Sequence, residues 1–156
     1  MLEFSLALAF HTLAAVVWVG GMFFAHIILR PALMEREPEL RLTLWTRIFP
    51  RFFRWVWLSV ITLLVTGYGV LLLGYRGGVT GGGPHIDIMQ TTGLTMIALF
   101  AYLFFGPYRG FKTAMAAGDL PGAAIFHAKI RQIVMINLVL GVFTTCIGAT
   151  GTLWAY

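Results

Sequence analysis

Charged residues and cysteines are scarce in this sequence. Of its 156 residues, only 11% are Asp, Glu, Lys or Arg, and Cys146 is the single cysteine. Because soluble domains usually carry about 25% charged residues, a soluble globular protein is excluded. A lone cysteine cannot form an internal disulfide. The chain also lacks a nucleophile motif, a phosphate-binding loop, a Cys-x-x-Cys pair and a zinc signature, so it gives no indication of the corresponding enzyme classes.

Long apolar runs make up most of the chain instead. Hydrophobic residues account for 59% of the sequence, and its mean hydropathy is +0.85. A transmembrane helix needs about 20 apolar residues, and long runs without period-2 alternation are helices rather than strands. Four runs qualify, at about residues 4–29, 56–75, 86–105 and 133–155. We therefore predict an all-α fold in which residues 1–156 form one transmembrane domain, an up-down four-helix bundle in the lipid bilayer.

The connection between the first two runs has an amphipathic pattern. Residues 30–54 mix leucines and aromatic residues with several arginines. This composition is typical of a helix that lies along the membrane interface. Because proline disrupts a continuing helix, we expect Pro31 to end the first span and Pro50 to break or kink the interfacial helix.

Basic residues are concentrated on one side of the predicted bundle. The chain has 11 Lys and Arg residues, and all of them except Arg76 lie in the connections after the first and third runs. The positive-inside rule places these connections in the cytoplasm. Both termini and the glycine-rich loop at residues 76–84 then face outward, on the periplasmic side. This distribution explains the sequence pI of about 9.9 without a nucleic-acid partner.

The first apolar run contains two histidines, His11 and His26. An ionisable side chain within a span is costly and marks a candidate functional site. At a rise of about 1.5 Å per residue, His11 lies roughly 10 Å inside the outer end, level with His85 and Met89 at the start of the third span. Neutral imidazole binds haem iron or copper, and a thioether suits haem or Cu(I). We therefore predict an outer cofactor or metal site formed by His11, His85 and Met89.

Other residues could extend this site or form a second one. Trp18, Gly20 and Gly21 follow His11 and could line its pocket, although closely spaced glycines also serve plain helix packing. His26 and His127 lie near the inner ends of the first and fourth spans and form a candidate inner site. A structural hydrogen bond is the alternative role for His11, and a structural role at the interface is the alternative for His26 and His127. His85 would be a ligand only if its loop folds inward.

The first helix carries a pattern found in a known family. His11 is followed by Trp18, Gly20 and Gly21, and then by Arg30-Pro31. This pattern resembles the copper-resistance D (CopD-like) membrane family, and also the related HemJ-type four-helix haem-binding proteins. The first resemblance implies copper handling at the bacterial cytoplasmic (inner) membrane. The second implies haem b on His11 and protoporphyrinogen oxidase activity.

Four functional hypotheses follow from these observations. The first is a haem b-binding inner-membrane redox protein, with one or two haems, that transfers electrons or oxidises a small substrate near the outer leaflet. It would be an oxidoreductase with a redox partner that the sequence does not identify. The alternatives are a copper-binding or copper-transporting protein, a HemJ-like oxidase, and a structural subunit without a cofactor. Glycine-lined helix faces are compatible with a homodimer.

Overall fold

The computed structural model describes residues 2–74 and 82–154, apart from the side chain of residue 152. This part of the chain is helical and contains no strand, which confirms the all-α prediction. The elements are α1 (Leu2–Phe23), a π-helical segment (Phe24–Leu29), α2 (Arg30–Met34), α3 (Pro38–Gly74), α4 (Pro84–Phe105), α5 (Pro107–Ala116), α6 (Leu120–Thr150) and a short 3-10 turn (Gly151–Leu153).

Four helical segments are long and apolar enough to cross a membrane. They cover Leu2–Met34, Pro38–Gly74, Pro84–Ala116 and Leu120–Thr150. The start of the first lies against the end of the second, where Phe4 contacts Gly74, and the start of the third lies against the end of the fourth, where His85 contacts Gly151. The predicted up-down four-helix bundle is therefore confirmed. We call the end with Leu2, Gly74, Pro84 and Thr150 the terminal end, and the end with Met34, Pro38, Phe105 and Leu120 the arginine end.

The helices are arranged as two closely packed pairs. Helix α1 packs along α3, and α4 packs along α6, while α1 also contacts α6. The side-chain amide Nδ2 of Asn137 on α6 donates a hydrogen bond to the Met96 carbonyl of α4, at 3.2 Å. Many large apolar side chains on the outer faces of the helices are exposed. This surface suits contact with lipid, where exposed apolar groups are not penalised.

The first span does not end at Pro31, in contrast to the sequence-based expectation. Helix continues through this residue to Met34. In an α-helix the proline ring clashes with the carbonyl four residues earlier. Here the preceding segment is π-helical, and the Arg30 N–H bonds to the Ala25 carbonyl five residues earlier. This wider turn displaces the backbone that the ring would otherwise meet.

The amphipathic segment is helical as predicted, but it is continuous with the second span. Helix α3 has 37 residues and runs through Pro50. At about 1.5 Å per residue it is roughly 55 Å long, whereas the hydrocarbon core of a bilayer is about 30 Å thick. Its first half therefore extends beyond the hydrocarbon core, and its apolar face packs on α5 and α6 instead of lying separately on the membrane surface. Phe49 makes edge-to-face contacts with Phe111 and Tyr108 there.

Packing explains why the helix continues across Pro50. An interior proline costs about 3 kcal/mol relative to alanine. On either side of it, Trp45, Phe49 and Phe53 are buried, and fully burying one such side chain in an aqueous setting contributes about 1.5–3 kcal/mol. Three buried aromatic side chains therefore outweigh one proline. The aromatic stack places Phe49 and Phe53 nearly parallel, with ring centroids 5.3 Å apart.

The fourth long helix begins earlier in the chain than the fourth apolar run, which starts at about residue 133. Gly118 has a positive φ of 71°, and Asp119 caps α6 by accepting a hydrogen bond from the Gly122 N–H at 2.9 Å. Helix α6 thus starts at Leu120 and ends at Thr150. The predicted span boundaries at residues 75 and 155 lie outside the described residues.

Candidate functional site

A cavity of about 420 Å³ lies between the four spans in the half of the bundle nearer the terminal end. Pockets of about 300–1,000 Å³ are typical of small-molecule sites. All four long helices contribute to its wall, so the cavity forms only when both helix pairs are assembled. Its lining includes the donor-bearing and small residues His11, Trp18, Thr66, Gly67, Met89, Gln90, Gly93, Met96, Gly141, Thr144 and Gly148.

His11 is held by a hydrogen bond across the α1–α3 interface. Its Nδ1 lies 2.9 Å from the hydroxyl oxygen of Thr66. That hydroxyl donates its own hydrogen to the Thr62 carbonyl at 2.6 Å. Because a threonine hydroxyl has only one hydrogen, it accepts from His11, and the Nδ1 carries the proton. The lone pair of the neutral ring is then on Nε2, which is the atom available as a ligand.

Gly67 supports the same imidazole ring. A Cβ atom added at this position would lie 3.1 Å from His11 Cε1 and 3.6 Å from Nδ1. The ring therefore packs directly on the α3 backbone, next to the threonine that bonds it. Consecutive residues Thr66 and Gly67 together set the orientation of His11.

Two methionines of α4 pack in the same manner on α6. A Cβ at Gly148 would lie 2.9 Å from the Met89 methyl carbon and 3.4 Å from its sulfur, and a Cβ at Gly141 would lie 3.0 Å from the Met96 methyl carbon. Both methionines line the cavity that His11 lines. The cavity thus has one imidazole on one side and two thioethers on the other, each side chain packed on a glycine of a neighbouring helix.

The predicted outer residues are only partly brought together. His11 and Met89 share the cavity, but His85 does not line it. His85 is buried near the terminal end, where it packs against Gly151 and its ring centroid lies 6.2 Å from that of Trp154. The sequence placed His85 at the correct level of the bundle but could not place it on a particular side of α4.

Only one of the three predicted pocket-lining residues lines the cavity. Trp18 lines the cavity and is almost fully buried against Phe100, with the two rings edge to face. Gly20 and Gly21 do not line it. A Cβ at Gly21 would lie 2.7 Å from the Phe52 ring, and Gly20 has open space around it. The plain helix-packing alternative therefore describes Gly21, while Gly67, Gly93, Gly141 and Gly148 provide the small residues of the cavity.

The two inner histidines do share a pocket. His26 and His127 both line a cavity of about 30 Å³ near the arginine end, together with Arg30 and Arg131. A water molecule occupies about 30 Å³ in the liquid, so this space does not fit a haem macrocycle. The inner haem prediction therefore lacks room, although the two histidines are close to one another as expected.

The described residues contain no group of three or more His, Cys, Asp and Glu side chains that could hold a metal ion. A metal in the larger cavity would thus need thioether ligands besides His11. The pairing of His11 with Thr66 is not predictable from the sequence. The two residues are 55 positions apart, and no single-sequence pattern indicates which threonine of the second span faces the first.

The bundle and its donor-lined cavity define a small, multi-pass α-helical membrane protein. The chain belongs to the CopD family, because the model for copper resistance protein D matches residues 46–151. That match confirms the resemblance noted in the first helix, although it covers α3 to α6 and does not include His11. No curated protein and no solved structure matches the chain significantly.

Family membership changes the balance between the functional hypotheses. A copper-resistance family supports the copper alternative, whereas nothing in it supports haem b or the HemJ-like oxidase. The cavity agrees with this shift, since it offers two thioethers and only one of the two predicted outer histidines.

Proposed function

We propose that this protein is a copper-resistance membrane protein that binds Cu(I) in the cavity between its four spans. The observation that carries this proposal is the shared cavity of one imidazole and two thioethers, those of His11, Met89 and Met96. Copper is the substrate here, taken up and released by the protein, rather than a resident cofactor.

The chemistry of the donor set favours Cu(I) over other metals. Thioether sulfur is a soft ligand that selects Cu(I), while Mg²⁺, Ca²⁺ and Mn²⁺ require oxygen ligands. Structural zinc sites require four Cys, His or carboxylate ligands, and the described residues offer no cluster of even three. An uncharged His–Met set leaves a bound Cu(I) complex with a net charge of only +1, which costs less to bury than the +2 charge of a divalent ion.

The hydrogen bond from His11 to Thr66 prepares the imidazole for this role. Metal-binding histidines usually donate the ring N–H that does not bind the metal, which fixes the tautomer and the ring orientation. The 2.9 Å contact of Nδ1 with Thr66 provides this support before any ion is bound. Nε2 is then the metal-binding atom.

The orientation of the bundle in the membrane determines the side from which copper would enter the cavity. The basic connections favour a cytoplasmic arginine end, in the inner membrane of a bacterium. The cavity would then open near the periplasmic side, where a resistance protein meets incoming copper. The inner-membrane location and this orientation are parts of the proposal.

A competition titration tests the proposal directly. The purified protein in detergent is titrated with Cu(I) against a chromophoric Cu(I) chelator, and His11→Ala and Met89→Leu are compared with wild type. Loss of a ligand should weaken Cu(I) binding by at least about tenfold, since even supporting residues of metal sites contribute 10–100-fold. Met135→Leu is the matched control, because Met135 lies on α6 and is exposed.

Two results would contradict the copper function. The first is Cu(I) affinity that does not change in either ligand variant. The second is a haem absorption band in the purified protein that disappears in His11→Ala, which would support the haem hypothesis instead.

A further inference from the structure

Three arginines at the arginine end differ from all the other basic residues that the structure describes. Arg30, Arg41 and Arg131 are partly buried, whereas the remaining described Lys and Arg side chains are exposed. The three come from different helices, α2, α3 and α6. The exposed ones are Arg36, Arg47, Arg51, Arg54, Arg109, Lys112 and Lys129.

Two of these partly buried arginines line the small inner pocket, and the third lies near it. Arg30 and Arg131 line it together with His26 and His127. Arg41 lies within electrostatic range of Arg30 and of His127. Four nitrogen-bearing side chains thus surround a space for one small group, and Arg41 lies near them without lining that space.

No acidic partner balances this cluster within residues 2–74 and 82–154. The side chains of Arg30 and Arg131 form no ion pair or hydrogen bond there, and the side-chain hydrogen bond of Arg41 goes to the Met34 sulfur, at 3.6 Å. Like charges in a partly buried site repel one another with little screening by salt. An anion bound among the guanidinium groups would relieve this repulsion.

We propose that the arginine end holds a phosphate-type oxyanion between Arg30, Arg41 and Arg131. Guanidinium groups bind phosphate through paired hydrogen bonds, and the ring nitrogens of His26 and His127 are further donors. The pocket of about 30 Å³ admits one oxygen atom of the anion, while the rest of the group stays at the surface. The source is the phosphate of an anionic lipid headgroup or free inorganic phosphate, which share this chemistry.

The aromatic surroundings of His127 support a built site rather than a loose surface patch. Its ring packs at 5.4 Å from Trp45 and at 6.0 Å from Phe49, between ring centroids. These two side chains are buried, so the imidazole position is set by the core of this end of the bundle. The proposal is independent of copper binding, which concerns the opposite half of the molecule.

Thermal unfolding in detergent tests this site. The wild-type protein is melted in an uncharged detergent without phosphate, then with added phosphatidylglycerol, with phosphatidylcholine, or with inorganic phosphate. We expect the Tm to rise with phosphatidylglycerol and not with phosphatidylcholine. If inorganic phosphate without lipid also raises the Tm, the site is open to the free ion. If it does not raise the Tm, the site is specific for a lipid headgroup.

Variants separate the site from general attraction of basic residues to anionic lipid. In Arg131→Gln and Arg30→Gln the rise should be lost or reduced, whereas Arg47→Gln, which removes an exposed arginine of α3, should keep it. Without any anion, Arg131→Gln should melt at the same temperature as wild type or higher, because removing one charge relieves repulsion. A purely structural arginine would give the opposite sign.

The proposal is wrong if no anion raises the Tm of the wild-type protein. It is equally wrong if Arg131→Gln or Arg30→Gln shows the full wild-type rise, or if both variants melt lower than wild type in the absence of anion.

Discussion

The orientation of a single imidazole determines what the larger cavity can bind. The Thr66 hydroxyl passes its hydrogen to the Thr62 carbonyl and accepts the His11 Nδ1–H, so it acts as a fixed acceptor. Threonine therefore does for His11 what a carboxylate does in many metal sites, but without adding a charge within the membrane. The residue is small, yet it decides which ring nitrogen is free.

Thr66→Val should weaken Cu(I) binding while His11 remains in place. Valine has nearly the same shape but accepts no hydrogen bond, so the imidazole loses its fixed tautomer. Loss of such a supporting residue typically reduces metal affinity by about 10–100-fold. The same chelator competition measures this change. Thr62→Val is the control, since only the Thr62 backbone carbonyl takes part in the chain of hydrogen bonds. Equal affinity in Thr66→Val and wild type would contradict the tautomer argument.

Gly67 offers a second way to test the same support. An alanine there would place its methyl group 3.1 Å from the imidazole, so the ring must shift and the Nε2 position must change. Gly69→Ala is matched, because a Cβ at Gly69 meets nothing within 4 Å. We expect weaker Cu(I) binding in Gly67→Ala alone, with little difference in Tm between the two variants.

At the scale of single residues, the sequence predicts which residues are candidates for a site better than it predicts which residues contact one another. The rarity of histidine within an apolar run identified His11, and the rise per residue placed Met89 near its level. Which side of α4 faces the interior depends on how that helix packs against α6. Packing turned Met89 and Met96 toward the cavity and kept His85 outside its lining, and no local pattern in the third span indicates this rotation.

Among the helices, α3 shows most clearly how tertiary contacts override local preference. Pro50 is an exposed residue inside a helix of 37 residues. Its lack of an N–H and its steric bulk disfavour the helix locally, while the aromatic residues around it are buried against α5 and α6. The predicted break did not form because the local cost is smaller than the contribution of these contacts.

Pro50→Ala should therefore stabilise the protein. The change restores a backbone donor and removes a clash in an existing helix, for a gain of up to about 3 kcal/mol in the free energy of unfolding. Little packing is lost, because Pro50 is exposed. Thermal unfolding in detergent measures the effect. Pro38→Ala is the control, as proline is well tolerated at the first position of a helix. A lower Tm for Pro50→Ala would mean that the ring itself supports the fold.

The sequence predicts the number of spanning helices well, but it predicts the residues at which they begin and end less well. Each of the four apolar runs forms a span, because the need to satisfy backbone groups within a membrane leaves helix as the outcome. The ends are set by particular contacts instead. The π-helical turn before Pro31 and the Asp119 cap of α6 each moved a boundary away from the edge of its apolar run.

For the whole molecule, the uneven distribution of basic residues predicts an orientation. A phosphatase that is active only in the periplasm can be fused after Gly82 or after Glu37. We expect the first fusion to be active and the second inactive, because the positive-inside rule places the arginine end in the cytoplasm. Activities in the reverse order would invert the bundle and move the cavity proposed to bind copper to the cytoplasmic half.

The two helix pairs divide the proposed copper ligands between them. The α1–α3 pair contains His11 with Thr66 and Gly67, and the α4–α6 pair contains Met89 and Met96 with Gly148 and Gly141. Each donor rests on a glycine of its own pair, so a small sliding of one pair past the other would change the imidazole–thioether spacing while keeping these contacts within each pair. A bound Cu(I) ion would then act as a noncovalent cross-link between the pairs. Its release would then involve that sliding and a change in the contacts between the pairs, such as that of Val19 with Gly141, and not the unfolding of any helix.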